Sequence, residues 1–182
     1  MEKFNILVTY HPRERKYAMD EIADRLEDVG SRFAMIGETG VDGLAGVRVP
    51  EDPKLVVSRL HDLCEDASEL FNTTYHWIPI DRWVRSTPRE MQIVAADYGD
   101  QIIEGEKWMM FLTKRHYPEC STDELIEYLT DPIHRGNVDL ENPTKTLVVQ
   151  IIEDLAGFSL CRSNEILHVN KVREERGLQI IY

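Results

Sequence analysis

Cysteine is scarce in this chain, with three in 182 residues (Cys64, Cys120, Cys161) and no C-x-x-C pair. An odd number at such separations argues against a disulfide framework and against a cysteine-ligated zinc site. The thiols read as reduced, small apolar side chains. No apolar run approaches the ~20 residues that a membrane-spanning helix needs. Met1-Glu2-Lys3-Phe4-Asn5 lacks the basic and apolar regions of a signal peptide. No membrane partner and a cytoplasmic location are therefore expected. The six histidines (His11, His61, His76, His116, His134, His168) show neither H-x-x-x-H nor H-E-x-x-H spacing, so no metal site is expected. There is no G-x-S-x-G elbow and no G-x-G-x-x-G after a strand. The glycine-rich stretch 37–45 lacks the Lys-Ser/Thr ending of a phosphate loop, carries Glu38 and Asp42, and reads as a hairpin connection. No cofactor is expected.

Positive charge is also in short supply. Lys and Arg number 21 against 33 Asp and Glu, a formal net charge of −12. Both halves share the deficit: eleven basic against sixteen acidic side chains up to Arg85, ten against seventeen beyond it. Proteins that bind nucleic acid usually carry the opposite balance. A cationic patch can still act locally, because at physiological salt charges more than about 8 Å apart are largely screened from each other. What is plentiful is a folded composition, 42% hydrophobic and 30% charged, that of a soluble globular chain.

Read in order, residues 4–10 form an apolar strand. Ala18, Ile22, Leu26 and Val29 place one buried face on a helix over 15–29, which Gly30 ends. Strands follow at 32–36 and 46–49. Asp52-Pro53 caps a second helix whose apolar face is Leu55, Val56, Leu60, Leu63, Cys64, Ala67 and Leu70. A fourth strand lies at 75–80. Strand, helix, strand, strand, helix, strand is the ferredoxin-like order. The junction is expected at residues 82–86. Thr87-Pro88-Arg89-Glu90 is a capping signal for a helix burying Met91, Val94, Ala95, Tyr98 and Ile102. An apolar strand at 107–113 runs into Lys114-Arg115-His116. Ser121-Thr122-Asp123-Glu124 is a second capping box, opening a helix that buries Leu125, Tyr128 and Leu129. The stretch 137–164 then carries a turn at 141–144, a strand at 146–152, a Gly-containing reversal at 153–157 and a strand at 158–162, which is a β-hairpin. Beyond Asn164 a short connection leads to a charged tail.

Val138-Asp139-Leu140-x-Asn142-Pro143, followed by a strand, an acidic pair, a glycine and a second strand, resembles the signature hairpin of THUMP domains. These RNA-binding modules occur with tRNA 4-thiouridine synthetases, some tRNA methyltransferases, certain pseudouridine synthases and stand-alone tRNA-acetylation adaptors. The resemblance covers residues 87–164 and implies an α+β chain: a ferredoxin-like N-terminal domain (1–85) followed by an α/β THUMP domain (86–182). It implies recognition of the tRNA acceptor region, and presentation of that tRNA to a separate modifying enzyme such as an RNA cytidine acetyltransferase. In THUMP enzymes the chemistry sits in an additional domain. Too few residues follow Asn164 to make one, so the chain is expected not to be an enzyme. Glu141 stands where relatives often place a basic residue, which argues against a phosphate contact there.

The candidate RNA-binding residues are Lys114, Arg115 and His116 at a strand end, Arg135 in the loop before the hairpin, Lys145 after its opening turn and Arg162 in its last strand. In the resembled domain these elements share one sheet, so a single basic patch is expected, with Lys and Arg on phosphates and His116 or Tyr117 stacking on an unpaired base. Trp77 and Trp108 read as core, and Trp83, beside Arg82 and Arg85, as a candidate stacking platform. Two other classes remain open: an acidic protein-interaction module that binds no RNA, and an enzyme with a pocket between the two domains.

Overall fold

The computed structural model describes residues 1–182. They divide into two compact units, Met1–Ile80 with Asn164–Tyr182, and Asp81–Ser163. The first unit contains β1 (Ile6–Tyr10), α1 (Arg15–Asp28), β2 (Met35–Glu38), β3 (Leu44–Arg48), α2 (Pro53–Asp66) and β4 (Thr74–Pro79), completed by β10 (Leu167–His168) and α5 (Val169–Glu175). The second contains β5 (Arg82–Arg85), α3 (Pro88–Gly99), β6 (Lys107–Arg115), α4 (Thr122–Thr130), β7 (Asn137–Val138), β8 (Lys145–Ile152) and β9 (Leu155–Arg162).

In the first unit the strands order as β10-β4-β1-β3-β2, antiparallel throughout. The four strands β4-β1-β3-β2 are the ferredoxin-like arrangement expected from the element order, and β10 adds a fifth at one edge. α1 buries Ala18, Ile22 and Leu26, spaced by four, against the β1 residues Ile6 and Val8 and against Trp77 of β4. α2 starts where Asp52 accepts the Lys54 N–H (2.9 Å) with Pro53 at the first helical position. Its buried face is Val56, Val57, Leu60 and Cys64, whereas Leu55 is exposed. With 3.6 residues per turn, Leu55 falls on the side of the helix away from Leu60 and Cys64, whereas Val57 lies beside them. On the sheet's other face, Gly37 and Gly46 leave room for the Phe4 ring.

The C-terminal stretch is no tail. Leu167 pairs with Trp77 and His168 with His76, and Leu167, Val169 and Val172 join the core of the first unit. Residues 164–182 thus belong with the N-terminal unit rather than with the second domain, and the division falls after Ile80 rather than Arg85. The stretch expected to be a junction is itself a strand: β5 pairs Arg82 with Phe158 and Arg85 with Leu155.

The second sheet orders as β5-β9-β8-β6-β7, with β6 parallel to β7 and β8 and the remaining pairs antiparallel. α3 and α4 cover one face, burying Met91, Val94, Ala95, Leu125 and Leu129 against Trp108, Met110, Leu112, Leu147, Val149, Ile151 and Phe158. Ser121 and Glu124 form the capping box that the sequence signals, each side chain bonding the other's backbone N–H (3.2 and 2.9 Å). Tyr128, expected in the core, is 41% exposed, since it sits at the border of the Leu125–Leu129 stripe. The reversal between β8 and β9 is two residues, Glu153-Asp154, not the expected 153–157, because Leu155, Ala156 and Gly157 already pair with Ile152, Ile151 and Gln150. Glu153 takes the left-handed conformation (φ 55°) that so short a turn demands. Ser86 satisfies the turn: its N–H donates to the Asp154 carbonyl (2.9 Å) and its hydroxyl to that of Glu153 (2.8 Å).

Candidate nucleic-acid interface

The six candidate residues do not form one patch. β6 and β8 run parallel with Trp108 opposite Lys145 and Arg115 opposite Ile152. Lys145 therefore lies at the start of the ladder and Arg115 at its end. At about 3.3 Å per residue the length of β8 separates them by roughly 23 Å. Lys114 and Arg115 also diverge, because successive strand residues point to opposite faces. Lys114 shares parity with the core residues Trp108, Met110 and Leu112 and bonds the Cys120 carbonyl. Arg115 points the other way, to Gln150 Oε1 (3.1 Å), which also accepts from the Thr113 hydroxyl (2.6 Å). Burial lowers the pKa of the Arg115 guanidinium.

The far end of the sheet is occupied by carboxylates. Lys145 Nζ is 2.9 Å from Glu106 Oε2 and donates to the Gln101 carbonyl (3.1 Å). Arg162, its register partner, is exposed. Arg135 donates to the Asp100 carbonyl (2.9 Å), with its Nε 4.0 Å from Asp100 Oδ1. The turn motif belongs to this end. Asp139 Oδ1 accepts the N–H groups of Glu141 (3.1 Å) and Asn142 (2.8 Å), while Oδ2 meets Lys107 Nζ at 2.8 Å. The Lys107 contact, then the Asn142 N–H, hold the Asp139 carboxyl down at about 2. The aspartate of the motif is thus a fastener for the loop before β8.

Arg115 and His116 lie at the opposite end. There β6, the β8–β9 turn, the end of β5 and the start of α3 border an open cavity of about 540 Å³ whose lining includes Arg85, Thr87, His116, Tyr117, Glu119, Glu153 and Asp154. His116 is exposed and takes a left-handed backbone conformation (φ 54°), with Nδ1 3.6 Å from Glu153 Oε1. Tyr117 is not available as a stacking platform: it is 6% exposed, and its hydroxyl donates to Glu119 (3.2 Å). Burial, reinforced by Glu119, pushes that phenol up to about 12. Trp77 and Trp108 are core residues, as expected, and Trp83 is half-buried.

Two residues outside the sequence-derived set complete this end. Arg85 finishes β5 and Arg89 lies in the first turn of α3, where the Thr87 hydroxyl accepts the Glu90 N–H (3.4 Å). Both are exposed, and neither side chain has an ion pair or hydrogen-bond partner. Among the arginines of this unit, Arg82 is tied to Asp97 and Arg135 to Asp100, so Arg85 and Arg89 stand apart. Their signal in the sequence is two arginines flanking a helix cap, the position where backbone N–H groups already favour an anion.

No sequence-family profile matches the chain, and no curated protein does. Solved structures do. PH1313 from Pyrococcus horikoshii OT3 aligns with a TM-score of 0.59 at 13% identity over 87% of this chain and 55% of that one. TrmN from Thermus thermophilus aligns at 0.55 and 12% over 85% of this chain and 44% of its own. A possible methylase from Clostridium difficile 630 aligns at 0.51 and 12% over 87% and 41%. This chain therefore spans about half the length of these proteins, or less. The expectation that it is not an enzyme is corrected by these matches. It rested on the few residues beyond Asn164, yet the same fold forms a part of larger proteins that include a possible methylase, so that shortage is no ground for setting catalysis aside. The likeness shows the fold: an α+β chain with a ferredoxin-like unit and a THUMP-like unit.

Proposed function

We propose that the second unit binds tRNA and serves tRNA modification, gripping phosphates at the end of its sheet where β5 and β6 finish. The observation that carries this reading is the pair Arg85 and Arg89, exposed and without carboxylate partners, around the N-terminus of α3. Free guanidiniums and helix N–H groups are both phosphate ligands. Arg115 stands at the same end of the sheet, three strands across from Arg85 through Leu155 and Ile152, with Lys114 on the other face. The exposed His116 ring is placed to stack on an unpaired base of a single-stranded 3′ end. Glu119, Glu153 and Asp154 border the same cavity, so the grip is local and sensitive to ionic strength. Lys145 and Arg135, at the other end, contribute little because Glu106 and Asp100 offset them, and Arg162, in register with Lys145, shares the field of Glu106. The finer reading is delivery of the bound acceptor end to the catalytic centre of a tRNA-modifying enzyme, and the resemblance points to an RNA cytidine acetyltransferase.

The test is filter binding of an unmodified tRNA transcript across a salt series. Arg85→Glu combined with Arg89→Glu is expected to weaken binding more than tenfold near 0.1 M salt. It should also flatten the salt dependence by about 1.4 log units of affinity per log unit of salt, at ~0.7 per lost contact for a single strand. A transcript lacking its unpaired 3′ nucleotides should bind less tightly to the wild type. Unchanged affinity and slope in the double variant would overturn the assignment.

A further inference from the structure

The loop that Asp139 fastens holds two large apolar side chains in water. Val138 is 66% and Leu140 71% exposed, and Ile103 on the neighbouring loop is 65% exposed. The loops are joined: the Asn137 N–H donates to the Glu106 carbonyl (2.8 Å), and Glu106 Oε2 accepts the Ile103 N–H (2.8 Å). Ile103 and Asn137 also wall one open cavity of about 680 Å³. Hydrogen bonds and an ion pair brace the platform. The Asp139 N–H donates to the Trp108 carbonyl (2.9 Å), and Lys107 and two backbone N–H groups hold its carboxylate. Single exposed apolar residues are ordinary, whereas several on adjoining braced loops mark a contact surface.

Charge decides what it contacts. Lys107, Arg135 and Lys145 are already matched by Asp139, Asp100 and Glu106, and Arg162 lies three strands across the sheet from Val138. Glu104 and Glu141 are exposed and have no ion pair. The apolar group is thus rimmed by uncompensated negative charge, which repels a phosphate backbone and attracts a cationic protein surface. A second copy of this chain would set the same acidic rim against itself in a twofold contact, so self-association is disfavoured.

We propose that Ile103, Val138 and Leu140 are a docking site for a protein segment whose apolar anchors are flanked by lysine or arginine. The site does not rest on the tRNA reading. It lies at the end of the sheet opposite Arg85 and Arg89, so RNA and this partner have separate places on the second unit.

The probe is a synthetic amphipathic leucine–lysine peptide, titrated into the ¹⁵N-labelled full chain. Amide shifts are expected to concentrate at residues 102–106 and 136–142. Val138→Ser with Leu140→Ser should weaken binding at least tenfold while leaving the remaining spectrum native, since neither side chain is in a core. Glu104→Gln with Glu141→Gln should lower affinity and its salt dependence. Phe33→Ser, at a still more exposed apolar residue of the first unit, should change nothing. The proposal is overturned by shifts centred elsewhere, by equal binding of a scrambled peptide of the same composition, or by self-association that V138S/L140S abolishes. Repeating the titration with R85E/R89E separates the two ideas: loss of tRNA binding with peptide binding intact supports the division, and loss of both overturns the independence of the docking site.

Discussion

Glu21 offers a test of the first unit that can be worked through bond by bond. It is nearly buried, at 9% exposure, and no cation lies against it; instead its carboxylate gathers donors from the chain entering β4. Oε2 accepts the N–H groups of Asn72 (2.7 Å) and Thr73 (2.9 Å). Oε1 accepts the N–H (3.0 Å) and hydroxyl (2.7 Å) of Thr74, whose oxygen in turn accepts the Trp77 indole N–H (3.1 Å). In Glu21→Ala the donors on Asn72 and Thr73 can reach water, because Asn72 is exposed and Thr73 half-buried. Those of Thr74, 0% exposed, cannot. A buried donor left without a partner costs about 1–3 kcal/mol, so losing both Thr74 bonds and the side-chain packing should cost roughly 3–5 kcal/mol. That is a large share of the ~5–15 kcal/mol by which domains are stable. Glu21→Gln keeps one carbonyl oxygen for Thr74 and turns its amide toward the two solvent-accessible donors, so its cost should be about 1–2 kcal/mol. Native-state amide exchange at Leu7, Val8 and Ile78 reads opening of this unit separately from the other. A loss below about 0.5 kcal/mol in Glu21→Ala, smaller than one ordinary hydrogen bond, or a glutamine variant worse than alanine, would refute the reasoning.

Two further outcomes follow from packing and titration. A Cβ at Gly46 would overlap the Phe4 ring, so Gly46→Ala should cost about 1–3 kcal/mol as an overpacked site; urea melts should show partial recovery when Phe4→Leu is added, and no loss in the single variant would show that the ring yields freely. His168 stands edge-on to His76 with ring centroids 4.9 Å apart, and burial, then His76, Lys171 and His61, push its pKa down to about 4 from 6.5. The unfolded chain therefore takes up a proton that the folded chain refuses. Stability from this source is complete above pH 6.5 and falls as pH drops toward 4, by at most about 3 kcal/mol. His168→Asn should flatten the fall in urea midpoint between pH 7 and 5, and an unchanged slope would sink the assignment.

Local chemistry made much of the second unit legible in advance. Ser121 and Glu124 sit three residues apart and can bond only each other's backbone when a helix begins between them, so α4 was written into four residues. Thr87-Pro88 did the same for α3, and Asp52-Pro53 for α2. The β8–β9 hairpin was legible as an element but not in its reversal, because Gly157 marked flexibility while the pairing of Leu155 and Ala156 placed the turn at Glu153-Asp154. Arg85 and Arg89 were visible as residues, yet their lack of partners is a property of what surrounds them in space.

By itself, then, the sequence determined where α1 to α4 begin and the ferredoxin-like order, which follow from contacts within a few residues, and its motif at 138–143 carried the THUMP resemblance, whereas β5, β7, β10 and α5 were not legible. Tertiary structure alone decided two things. It returned residues 164–182 to the first unit through the pairing of β10 with β4, and it put Lys145 and Arg162 a sheet's length from Arg115. The reason is that charge along a chain carries no register. Which strand lies beside which, and in which direction, is fixed by burial of the apolar faces, and the basic residues go wherever that pairing carries them.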